Sequence, residues 1–206
     1  MATAPGTIHL DAKRAVATIT AGLQADFART FEAVRQLDDR VGNRMFDEPL
    51  KHRLAQAARA QLPWQFCFIL SGGWRRAASE AASARAVGAD LILAALAARQ
   101  IAARDASCSM DEAMALLGPI GSADEIKAAI AWLLERRLLL APTDLRCPHQ
   151  RFGSVLIREV LNGQDKAGRV TIAGMLRDIL RNPAFPLSGI ATLLSEIKSG
   201  PQYRGW

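Results

Sequence analysis

The sequence predicts an all-α, mainly helical protein in which a helix–turn–helix–ribbon–helix segment sits between two helical flanks. Three observations carry this. The chain is half hydrophobic but only 6% aromatic, with a single tyrosine, a composition that favours helices over sheets. Apolar residues recur by threes and fours over long stretches, the period of a helix buried on one side. Serine–glutamate pairs three residues apart stand at Ser109/Glu112 and Ser122/Glu125, where each serine hydroxyl can accept a backbone N–H and each glutamate can reach back.

Taken in order, Thr7–Leu10 reads as a short extended piece. Val16, Ile19, Leu23, Phe27, Phe31, Val34, Leu37 and Val41 then form one apolar stripe, predicting a long helix that needs something to pack against. Asp47-Glu-Pro49 opens a second helix and Pro63 closes it. Gly72-Gly73 marks a turn, after which Trp74 leads an arginine- and alanine-rich helix. Asp90 is read as the cap of Leu91–Ala103, whose small residues suit close packing.

The next stretch is the most informative. The box at Ser109 opens one helix, Gly118-Pro-Ile-Gly121 breaks it, and the box at Ser122 opens another with Ile126, Ile130, Leu133 and Leu134 at helical spacing. Trp132, one residue off that face, is expected to be buried. Leu138-Leu-Leu140 and Leu145-Arg-Cys147 flank Ala141-Pro-Thr-Asp144 as a two-stranded ribbon, and His149–Leu161 is helical. That order is the order of a winged-helix domain. Val170–Leu180 and Ile190–Ile197 complete the chain as a C-terminal helical hairpin. The expected division is 1–87, a helical lid-like region; 88–162, the winged helix with its small β-ribbon; and 163–206, the hairpin and tail.

Charge and motifs narrow the function. The formal charge is +6, but 13 basic residues face 9 acidic ones through Ala103 and 13 face 11 afterwards, so the excess is spread over the surface. The three cysteines, Cys67, Cys108 and Cys147, form no disulfide framework. No signal pattern or bilayer-length apolar run occurs, and a cytoplasmic protein without a membrane segment is expected. The phosphate-binding pattern G-x-x-x-x-G-K-[ST] is absent, which removes the backbone cradle and lysine that nucleotide hydrolysis uses. Cys147-Pro-His149 places two ligand types together, but four are needed for a structural zinc and no paired spacing completes the set. No nucleophile elbow is present. No catalytic residue, metal site or cofactor is therefore expected.

Nucleic acid is the alternative. A recognition helix offers Arg, Lys, Asn or Gln to base edges, whereas the outward positions of Ser122–Arg137 include Asp124, Glu125 and Glu135 beside Lys127. On this reading Lys127, Arg136, Arg137, Arg146 and Arg151 are the contacts of a winged-helix DNA-binding regulator, and the acids near the leading end oppose a phosphate backbone and make such binding weak.

Leu37-Asp-Asp39, Pro63-Trp-Gln-Phe66, Ser71-Gly-Gly-Trp74, Ala89-Asp-Leu91 and Leu145-Arg-Cys-Pro-His149 through Phe152 together resemble the C-terminal lid and winged-helix region of STAND-type AAA+ NTPases, over most of the chain from Thr7 onward. The P-loop core of such proteins is not in this sequence. The resemblance implies a regulatory, protein-interaction module with a protein partner or an ATPase core as its counterpart. It also implies His149, where the ribbon meets the next helix, as a nucleotide contact. The N-terminal stripe supplies the expected protein interface, centred on Phe27 and Phe31.

Overall fold

The computed structural model describes residues 11–26, 29, 57–59 and 73–198, divided between two compact units, Met1–Arg76 and Ala77–Trp206. In the first, α1 runs Ala12–Ala25. Asp11 opens it, its carboxylate accepting the Arg14 N–H at 3.1 Å, and Val16 and Thr20 are buried. Past Ala25 the predicted long helix is interrupted at Asp26, and Val34, Leu37 and Val41 of the stripe lie outside the described residues. Asp26 leaves the helix, and its carboxylate accepts the Arg29 N–H at 2.9 Å, the geometry by which an aspartate starts a new turn. Phe27 and Phe31 lie outside the described residues.

The second unit is built around one helix. After α2 (Gly73–Ala86), α3 (Asp90–Ala102) has every residue but Leu91 buried. Helices α4 (Met110–Leu117), α5 (Ala123–Glu135), α6 (Gln150–Asn162), α7 (Lys166–Arg181) and α8 (Leu187–Lys198) follow. All five pack on α3, and α8 also touches α6. The two terminal helices, expected as a hairpin of their own, thus dock on the central helix. The alanines of α3 let neighbours approach closely. A Cβ on Gly153 of α6 would stand 3.4 Å from the Ala97 Cβ, and one on Gly189 of α8 would collide with the Ala102 carbonyl oxygen.

Both capping boxes form. The Ser109 hydroxyl accepts from the Glu112 N–H at 3.2 Å, and the Glu112 carboxylate accepts from the Ser109 N–H at 2.8 Å. The same exchange joins Ser122 and Glu125 at 3.4 and 2.8 Å. These backbone N–H groups hold both glutamates below the usual carboxylate range, with Arg99 adding to the effect at Glu112. Asp90 plays a different part from the one expected. Ala89 occupies the cap position, while the buried Asp90 carboxylate accepts from Arg85 Nε at 3.2 Å and from the Gln164 amide. With Arg85 Nη2 donating to the Val160 carbonyl at 3.2 Å, this cluster ties α2 and the end of α6 to the start of α3.

The expected ribbon is reduced to its tip. Among the described residues, pairing consists of the antiparallel bridge Ala141–Asp144 and one further bond, from the Leu140 N–H to the Arg146 carbonyl at 2.8 Å. The side-chain pattern explains the shortness. Leu145 and Cys147 are buried around a half-exposed Arg146, the alternation of a strand, but Leu138 and Leu139 are both buried in succession, which a pleated strand facing one core does not allow. A third segment lies against it, with the Leu145 N–H donating to the Cys108 carbonyl at 2.9 Å.

Candidate functional site

The residues singled out for nucleic-acid contact lie on α5, the ribbon and the start of α6. Ile126, Ala129, Ile130 and Leu133 turn α5 inward, which leaves Asp124, Glu125, Lys127, Ala128 and Glu135 exposed. Lys127 therefore stands on an outward face between acids.

Three of the four arginines are paired with carboxylates. Arg136 is half-buried, its Nη2 lying 3.3 Å from the carboxylate of Glu80, which is 1% exposed. Its guanidinium also sits over the Trp132 ring, 5.1 Å from the centroid, where the ring's negative face attracts a cation. Trp132 is accordingly half-buried and not enclosed as expected: Arg136 covers it, and it lines an open cavity of about 470 Å³ with Val87, Ile92, Ile120, Ile126 and Ala129. Arg146 grips Asp144 with Nε at 2.7 Å and Nη2 at 2.6 Å, and it donates to the Asp105 carbonyl. These bonds hold the Asp144 carboxyl below its ordinary value and raise the Arg146 guanidinium above its own. Arg151 forms an ion pair with Glu196 of α8. Arg137 is exposed at a positive φ of 53°.

His149 is the N-cap of α6. Its Nδ1 accepts the Arg151 N–H at 3.0 Å, a role that requires Nδ1 to be unprotonated. Partial desolvation pushes its pKa down, and Arg151 adds to this against the opposing charge of Asp105. The neighbouring Arg151 guanidinium is paired with Glu196.

Cys147 and Cys108 are both buried. Burial raises both thiols, Cys147 to about 12, so neither is a thiolate near neutral pH. Among the described residues there is no group of three or more His, Cys, Asp or Glu side chains placed to hold a metal ion, and no helix is long and apolar enough to cross a membrane.

Sequence reasoning missed the carboxylate partners of the arginines. Glu80 and Arg136 are 56 residues apart, Arg151 and Glu196 45, and no local pattern joins them. Only Asp144-Leu-Arg146 was close enough in sequence to be read as a pair. No family model, curated protein or solved structure matches this chain.

Proposed function

We propose that this chain is a non-enzymatic regulatory and protein-interaction module, organised like the C-terminal region of a STAND-type ATPase, with α3, α4, α5, the ribbon and α6 as a winged helix. The element order supports that organisation, as does the backbone bond that joins Leu145 to Cys108, just ahead of α4. The function rests on one observation: Arg136, Arg146 and Arg151, three of the five cations a duplex reader would use, are bonded to carboxylates within the fold. What α5 then presents is one lysine among acids, a poor match to a phosphate backbone. The unit instead exposes large apolar side chains on its outer helices, Val170, Leu187 and Leu194 among them, a feature of surfaces that meet other proteins.

Purified chain incubated with ATP and magnesium tests the non-enzymatic part, since neither the phosphate loop nor a magnesium-holding acidic pair is present in the motifs. No turnover above background is expected. Hydrolysis that co-purifies with the chain and changes with its mutation would overturn the reading.

A further inference from the structure

We propose that the outward face of α8 is a docking surface for an acidic amphipathic helix of a partner protein; this rests on the interaction-module reading and names its surface. The inner face of α8 is fixed. Gly189 lies against the carbonyl of Ala102, a contact that no larger residue permits, and Leu193 is fully buried. The outer face carries Leu187, 86% exposed, and Leu194, 47% exposed, with Ala191 exposed between them and Ile190 and Ile197 half-buried at its edge. Positions 187, 190, 191 and 194 follow the i, i+3, i+4, i+7 spacing by which one helix reads another. The stripe is about 10 Å long at 1.5 Å per residue, and packing on α3 holds it rigid before any partner arrives.

Charge decides the occupant. Arg104 donates to the Ser188 hydroxyl at 3.4 Å at the leading end of the stripe, and its neighbour Asp105 directs its carboxylate to Gln100 at 2.7 Å. Lys198 lies one turn beyond Leu194 on the same face. The sole carboxylate of α8, Glu196, is in the ion pair with Arg151. The leading end of the helix adds its own partial positive charge. Leucines flanked by cations at both ends are complementary to an apolar stripe bordered by Asp or Glu.

A second copy fits worse. An antiparallel isologous contact would set Arg104 of one chain against Lys198 of the other at both ends. Single-stranded nucleic acid would meet the same cations but leucines in place of stacking aromatics.

The test uses the full chain and two helical peptides of about 14 residues with leucines at i, i+4 and i+7, one bearing glutamates at its other positions and one lysines. By fluorescence anisotropy the acidic peptide should bind at least about tenfold tighter than the basic one, with the difference shrinking in high salt. Leu187→Ser with Leu194→Ser should weaken it at least about tenfold while the thermal midpoint holds, because both side chains are exposed. Arg104→Glu with Lys198→Glu should reverse the preference.

Equal affinity for the two peptides, binding of neither, or indifference to the leucine changes would each overturn the proposal. So would a dimer in sedimentation that the same changes dissociate, since the occupant would then be a second copy. A DNA duplex that competes with the peptide overturns both this surface and the interaction-module reading. Peptide failure without duplex binding overturns this surface alone.

Discussion

The side-chain amide of Gln100 bonds both backbone groups of Cys147: Nε2 donates to its carbonyl at 3.1 Å, and Oε1 accepts its N–H at 2.9 Å. A glutamine on the central helix thus serves as the strand that Cys147 would otherwise pair with. Both residues are buried, so neither backbone group can turn to water instead.

Gln100→Leu should therefore cost about 2–6 kcal/mol, from two buried groups each worth roughly 1–3 kcal/mol when left unmade. Chemical denaturation measures this. In a Cys67→Ser background, native chain should resist alkylation at Cys108 and Cys147, and Gln100→Leu should speed labelling of Cys147. An unchanged midpoint together with unchanged labelling would show that the amide supports nothing.

Two glycines predict opposite signs. A Cβ at Gly189 meets the backbone carbonyl of Ala102, which cannot rotate aside, whereas one at Gly174 in α7 meets nothing within 4 Å. Gly189→Ala should destabilise by about 2–3 kcal/mol, the cost of forcing packed helices apart. Gly174→Ala should stabilise by about 0.5–1 kcal/mol, because alanine has less backbone entropy to lose in a helix. Thermal unfolding of the pair separates close helix packing from helix propensity.

Local features were legible in the sequence and distant ones were not. Both capping boxes and the start of α6 follow from residues within three positions of one another, so spacing alone located them. The interruption at Asp26 was hidden because the apolar stripe keeps its period across it, although aspartate is itself a capping residue. The ribbon was overestimated since Leu138-Leu-Leu140 reads as a strand by composition, while both Leu138 and Leu139 are claimed by the core. At the candidate site, exposure of α5's acids was readable from its helical period. The partners of Arg136 and Arg151 depend on how α2 and α8 pack, which no local pattern encodes.

Acid should act in two windows. His149 has a lowered pKa in the fold, so its contribution is complete above its ordinary value of 6.5 and is lost as pH falls through the folded value. Glu112, Glu125 and Asp144 are lowered from 4.5, 4.5 and 3.8. Their contribution is complete above those values and disappears as pH falls through the folded ones. Unfolding followed from about pH 7.5 to about pH 3 should lose stability in both windows. His149→Asn keeps a capping side chain that does not titrate and should flatten the upper window only. A variant that leaves the upper window intact would place its origin elsewhere.

The Arg136–Glu80 pair predicts a stability defect where a DNA contact would give a binding defect. Arg136→Met leaves the buried Glu80 carboxylate without this guanidinium. The expected loss is about 2–3 kcal/mol, below the roughly 3–5 kcal/mol of a fully enclosed pair because Arg136 is 32% exposed. Adding Glu80→Leu should recover part of it, since the buried charge goes too. A double variant no better than the single one would contradict the pairing.

The most direct test of the protein-interaction reading is the affinity of the full chain for duplex DNA as a function of salt, with Lys127→Ala and Arg137→Ala alongside. If the fold's carboxylates hold its arginines, binding near physiological salt should be no tighter than about 10⁻⁴–10⁻⁶ M, the range of non-specific phosphate contact. It should also be indifferent to sequence. A nanomolar, sequence-selective complex that persists at that salt and is lost on changing Lys127 would contradict the account and make α5 a recognition helix.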